Sequence, residues 1–232
     1  FAPYNFTSVR TVLYSTKTIN DEYAFQGKAI LTTFKEDGKN KQNIGLFADK
    51  DSENFDAVFD VNDIAPVFRR TEPGTDIFVL GFVKEDEDTW VEQSAISVIE
   101  YFFYSIYRGK LEVEIRDGEK IVEITQSNLG EMIALYDKYC KEHMADDTAF
   151  KFTAPSYWRL LQDSRHKIIK APFEYNGKSM GNYELYLLTG DDIAEKKVLE
   201  MRQAGMRIRE DCAFRIPMNF TAIFIATGEG AA

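Results

Sequence analysis

The chain of 232 residues has little of what site chemistry is usually made from: two cysteines, two histidines and two tryptophans. Cys140 and Cys212 lie far apart with no C-x-x-C, and His143 and His166 are the only imidazoles, so no zinc-type cluster can be read from spacing. A bridge between the two cysteines has no support in their spacing, and reduced thiols in a cytoplasmic protein are the expectation. Six prolines and 14 glycines are too few for a linker, a collagen-like chain or a low-complexity tract. No apolar run approaches the ~20 residues of a membrane-spanning helix. The first twenty residues hold neither an initiator Met nor a basic-then-apolar signal pattern, so the expectation is a processed chain or a piece of a longer one.

What is present is a globular composition: 44% hydrophobic and 28% charged residues, with 18 Phe and 12 Tyr among 14% aromatics. The net charge of -10 is unevenly spread. Residues 1–150 hold 16 Lys+Arg against 28 Asp+Glu, and residues 151–232 hold 12 against 10. Such an acidic chain repels a polyanion, so nucleic acid is a disfavoured partner, with the C-terminal part as the only region suited to it.

Along the chain, Ser8–Thr16 and Ala24–Phe34 read as strands, and Asp37-Gly38 marks a turn toward a partner strand at Asn43–Ala48. Residues 49–73 look irregular, and Asp76–Val83 reads as a buried strand behind Gly74-Thr75. The charge run Lys84–Asp88 is the natural boundary. Thr89 and Glu92 stand in capping-box spacing, and Val91, Ala95, Val98, Ile99, Phe102, Phe103 and Ile106 repeat at helical steps as far as Arg108-Gly109. Leu111–Ile115 and Ile121–Thr125 form a hairpin around Asp117-Gly118. Helices are expected from Asn128 to about His143, over 156–163, and from Asp192 to about Gln203. Strands are expected near 166–175, at Tyr183–Leu188, at Met206–Glu210 and at Phe220–Ala226.

Most catalytic signatures are missing. Gly177-Lys178-Ser179 imitates a phosphate loop, but the pattern needs Gly five positions before Gly177 and finds Pro172, so a turn is expected. His143 belongs at a helix C-terminus and His166 beside Arg165 and Lys167 on the surface. No side chain is singled out as catalytic and none as a metal ligand. Two features stand out: Gly74-Thr75, where Gly permits close approach and Thr sets a hydroxyl at the start of a strand, and Met201–Arg209, where Arg202, Arg207 and Arg209 crowd around Gly205.

The order of these segments carries a resemblance. The opening FAPYNFTSVRTVLYSTK resembles the stretch that follows the glycine-rich ATP lid of GHKL ATPases, the superfamily of gyrase, the heat-shock ATPase, histidine kinases and MutL. Ala24-Phe25-Gln26-Gly27, then Gly74-Thr75-Asp76-Ile77, then the long helix ending in Gly109-Lys110-Leu111-Glu112-Val113 look like a bacterial group within it. The fold class implied is α+β: residues 1–87 as the C-terminal portion of a two-layer α/β sandwich that binds ATP, and residues 88–232 as a mixed α+β transducer-like domain, with helix 89–107 at the junction.

By that resemblance Gly74 and Thr75 lie on the adenine side of a nucleotide site, and Lys196, Lys197, Arg202 or Arg207 is the cation sent to the γ-phosphate. The helix with the general-base Glu and the Mg²⁺-binding Asn, the adenine motif and the lid would all precede Phe1. ATP and Mg²⁺ are therefore implied for a longer parent hydrolase and not as tight ligands of these residues alone. The implied partner is the remainder of its own polypeptide, with homodimerisation open and no membrane. The alternative is a stand-alone, non-enzymatic α+β interaction domain.

Overall fold

A computed structural model describes residues 10–30, 33–80, 89–144 and 150–227. Two compact units divide the chain, Phe1–Glu85 and Asp86–Ala232.

In the first unit, β1 (Arg10–Lys17) and β2 (Tyr23–Ile30) form an antiparallel hairpin whose turn is held by Thr18: its Oγ1 accepts from the backbone N–H of Asn20 and of Glu22. The expected turn after β2 is itself a small hairpin. β3 (Phe34–Glu36) and β4 (Lys39–Lys41) flank Asp37-Gly38, both at positive φ (50° and 75°) as a tight primed turn requires. β5 (Ile44–Phe47) then pairs with β2, and β6 (Gly74–Leu80) pairs with β1, giving the antiparallel order β5-β2-β1-β6.

Residues 49–73 cross one face of this sheet with two short 3-10 turns, Val61–Asp63 and Pro66–Phe68. Leu13, Phe25, Val58 and Ile64 are buried there, and Phe68 stacks on Phe25 (5.5 Å between ring centres) and meets Phe78 edge-on at 4.9 Å. Backbone bonds from Phe25 to Val58 and back, at 2.9 and 2.8 Å, hold the crossing segment against β2.

The second unit is α+β. Its first helix, α1 (Trp90–Tyr107), buries the apolar stripe expected of it and ends at Gly109, φ 63°. Thr89 stands at the N-cap but makes no capping bond; Gln93 Nε2 donates to its hydroxyl instead, and Glu92 reaches across to Lys120. A hairpin of β7 (Val113–Asp117) and β8 (Lys120–Ile124) follows, then α2 (Leu129–His143) and α3 (Ala154–Gln162). Asn128 also fails to cap: its Oδ1 accepts from the N–H of Thr125, tying α2 to β8.

The five remaining strands are β9 (Lys167–Tyr175), β10 (Lys178–Thr189), β11 (Lys196–Met201), β12 (Arg207–Asp211) and β13 (Phe220–Thr227), in the order β12-β11-β13-β10-β9. All neighbours are antiparallel except β11 and β13. Helices α1 and α3 cover one face, burying Tyr186, Leu188, Leu199, Met201, Ile223 and Ile225 in a continuous core. The GKS tripeptide lies at the β9–β10 turn, where Asn176 and Gly177 have φ 51° and 72°.

Besides the two caps that do not form, β6 is not the buried strand expected of it, since none of Gly74–Leu80 is fully buried, and one element is of another type. The segment after Asp192 is not a helix to Gln203 but the strand β11, in which Lys197, Leu199 and Met201 are buried and Lys196, Val198 and Glu200 only partly so. That two-residue alternation, set by parallel pairing with β13, outweighs the local Asp192/Glu195 spacing.

Candidate functional site

The sequence directs attention to two places, one in each unit. At the start of β6, Gly74 adopts φ 141°, and a Cβ there would lie 2.8 Å from the Arg70 guanidinium. Absence of a side chain thus lets Arg70 fold over the strand, where it pairs with Asp76 and donates to the carbonyl of Glu72. Thr75 sits opposite Thr16 in the β1–β6 register, and their hydroxyls are 2.9 Å apart.

Strand alternation places Thr16 and Thr75 on the same sheet face as Val12, Tyr14, Ile77 and Leu46, the face opposite Leu13 and Phe25. That face is open: Ile77 is 62% exposed, and Tyr14, Leu46 and Ile44 are 45–46% exposed. Beside Thr16 the hairpin end borders a groove of about 690 Å³ walled by Glu22, Tyr23, Phe59 and Asp60.

In the second unit, two of the four cations expected near a phosphate converge. Arg207 on β12 and Lys197 on β11 both reach the first turn of α3, but each meets carboxylates there. Arg207 pairs with Glu100 of α1 and with Glu210 (3.2 Å), and donates to Thr153 Oγ1 at 2.8 Å. Glu100, 3% exposed, also accepts from the backbone N–H of Thr153 and Ala154, at 2.8 and 2.9 Å, and from the Thr153 hydroxyl at 2.7 Å. This interior carboxylate therefore caps α3, whose own N-cap Thr153 makes no side-chain capping bond.

Lys197 is buried, pairs with Glu195, donates to Ser156 Oγ at 2.9 Å and lies 5.2 Å from the centre of the Tyr157 ring. Three carboxylates face three cations in this cluster, because Lys151 also pairs with Glu195 at 3.6 Å. A phosphate would have to displace one of the carboxylates, so the arrangement works as a brace among α1, α3 and the sheet edge.

The electrostatics agree with a brace. Burial pulls the Arg207 guanidinium below its ordinary value while Glu210 pushes it back, and hydrogen bonding from Lys197 holds Glu195 below the usual carboxylate range. Burial first, then Glu210, raises the Tyr157 phenol far above its ordinary value; its buried hydroxyl has no hydrogen bond of good geometry among the described residues.

The other two cations stand apart. Lys196 alternates with Lys197 and so projects from the opposite sheet face, and Arg202 is exposed in the turn after β11. Arg209, also singled out in the sequence, is paired with Glu200. Glu100 is the residue that sequence reading missed. Its one signal was a carboxylate set among Ile96, Ile99, Phe103 and Tyr104 on the apolar stripe of α1.

Both cysteines are free, and burial raises both thiols, which keeps them protonated and weakly nucleophilic. His143 stacks on Tyr139 at the end of α2, and His166 Nδ1 lies 2.7 Å from the carbonyl of Asp163. Among the described residues no three His, Cys, Asp or Glu side chains converge as a metal site, and no helix is long and apolar enough to cross a membrane. No protein-family model, no curated protein and no solved structure matches the chain.

Proposed function

We propose that the chain is the part of a GHKL-type ATPase that follows the nucleotide lid, with the first unit contributing one layer of the nucleotide-binding sandwich and the second coupling its state to the rest of the molecule. The observation that supports this reading is the open apolar face of the β5-β2-β1-β6 sheet. A four-stranded sheet with one face packed and one bearing Tyr14, Leu46 and Ile77 in solvent is suited to receive a covering layer. Thr75, which the resemblance puts beside adenine, lies on that same face rather than on the packed one.

The residues fit the two implied ligands unequally. The Thr16–Thr75 hydroxyl pair offers donors and acceptors for the edge of a base, and the apolar strands offer a platform for its ring. Mg²⁺ finds no ligand set among the described residues, so no metal-dependent step is assigned to them. In the second unit Lys197 and Arg207 are neutralised within the fold and serve as struts. Their part in this reading is to make α1, α3 and the sheet move as one body.

The test is nucleotide binding by the complete gene product and by these 232 residues. Calorimetric titration is expected to give micromolar affinity for ATP in the former, at least tenfold weaker in Thr75→Val, and no micromolar affinity in the latter. A complete gene product that neither binds nor hydrolyses ATP would overturn the proposal. The same open face also suits a stand-alone interaction domain, which predicts an unaltered partner complex in the presence or absence of nucleotide.

A further inference from the structure

We propose that the cavity between the C-terminal end of α1 and the turn at residues 202–206 binds the phosphoryl group of a small molecule. This site is separate from the open sheet face and from the Glu100 brace. The cavity measures about 150 Å³ and is lined by Tyr104, Arg108, Lys110, Gln203 and the backbone of Ala204 and Gly205. At about 30 Å³ per water it has room for roughly five waters, which suits a phosphate-sized anion.

Its wall is preformed. The Ser105 hydroxyl bonds the carbonyl of Ala204, and Gly205, at φ 84°, comes so close that a Cβ would meet the backbone nitrogen of Ser105 at 2.9 Å. Arg108 is held by one bond, Nη1 to the Tyr104 hydroxyl at 3.4 Å, and Tyr104 in turn shares a hydrogen with Tyr186 at 3.0 Å. Tyr104 and Tyr186 face one side of the guanidinium, and a guanidinium carries five donors, so further donors are available to a ligand.

Charge is the decisive observation. Among the described residues neither Arg108 nor Lys110 pairs with a carboxylate; the same holds for Arg202 and Arg215, but Arg108 and Lys110 are the two that line this cavity, whereas Arg116, Arg159, Arg165, Arg207 and Arg209 are each paired. The carboxylate at the cavity, Glu184, is committed to Lys170 at 2.6 Å and accepts from the Tyr186 hydroxyl. A helix dipole accounts for one cation at the C-cap, which is Arg108, but not for a second beside it, nor for a cavity between them. Two like charges left facing one polar cavity are stabilised when an anion enters, and an Arg–Lys pair suits phosphate oxygens.

The test uses the whole chain with inorganic phosphate and pyrophosphate as probes, read by thermal unfolding and by calorimetric titration against sodium chloride at matched ionic strength. Phosphate is expected to raise Tm and to bind measurably, with affinity falling about tenfold in Lys110→Met and at least as much in Arg108→Gln. Lys110 makes no side-chain contact that holds the fold, so Lys110→Met alone suffices if Arg108→Gln is less stable. A response equalled by sodium chloride, or one that persists undiminished in Lys110→Met, would overturn the proposal. Thr75→Val should leave phosphate binding intact, which keeps this outcome distinct from that of the nucleotide reading.

Discussion

Replacing Glu100 tests whether one buried carboxylate holds the second unit together. Glu100→Ala removes the acceptor for the Thr153 and Ala154 N–H groups and the Thr153 hydroxyl, and leaves Arg207, 14% exposed, with Glu210 as its remaining carboxylate. Breaking one side of a buried pair costs about 3–5 kcal/mol. For a unit of this size each kcal/mol lowers Tm by about 2–4 °C, so a fall of roughly 6–20 °C is expected. Glu100→Gln, which keeps an acceptor oxygen but not the charge, should lose less.

Both tryptophans, Trp90 and Trp158, lie in the second unit, so fluorescence during urea unfolding reads that unit alone. The double variant Glu100→Met/Arg207→Met should be less damaged than the sum of its parts by at least about 1.5 kcal/mol, because neither charge is then stranded. A Glu100→Ala cost under about 1 kcal/mol, or additivity of the two Met variants, would refute the brace.

Three further outcomes are expected. Lys197→Met keeps the stem that packs on Tyr157 and leaves Glu195, 46% exposed on its side chain, hydrated and paired with Lys151, so it should cost less than about 1 kcal/mol in the same urea assay, whereas Lys197→Ala should cost clearly more. Ile77→Glu on the open sheet face should change stability by no more than about 0.5 kcal/mol while reducing the fluorescence of a bound hydrophobic dye; a large loss would mean the face is covered in solution. Asp163 and Asp192 are held low by hydrogen bonds from Arg165, and Glu195 by one from Lys197, so these groups add stability above the ordinary carboxylate range and lose it as pH falls. Tm is therefore expected to drop below about pH 4, less steeply in Arg165→Ala, and an unchanged acid limb in that variant would count against the assignment.

Local signals carried much of this fold. The three- and four-residue apolar steps of α1 and the Asp117-Gly118 hairpin are read from residues close in sequence, and α2 begins after Asn128 as expected although Asn128 bonds back to Thr125 rather than capping it. What could not be read was decided by distant partners. Lys197 looks like a surface residue until β13 fixes its alternation and Glu195, Ser156 and Tyr157 enclose it. Arg207 and Lys197 could be chosen from their charge, but Arg207 is neutralised by Glu100, 107 residues away, and Lys197, though paired with nearby Glu195, is enclosed only once α3 brings Ser156, 41 residues away, to its ammonium. The exposure of Ile77 and Tyr14 was likewise invisible, since an alternating strand looks alike whether or not its second face is covered.

The position of β13 bears on biosynthesis. It is the last of the five strands to leave the ribosome, yet it lies between β11 and β10 and supplies the parallel pairing on one side and the antiparallel pairing on the other. Until Phe220–Thr227 has emerged from the exit tunnel, the β9–β10 and β11–β12 ribbons have no strand to join them, and their apolar residues wait unpaired. Chaperone contact during translation should accordingly persist until that strand is free, and a stop codon before it should yield a protein that aggregates rather than a shorter folded domain.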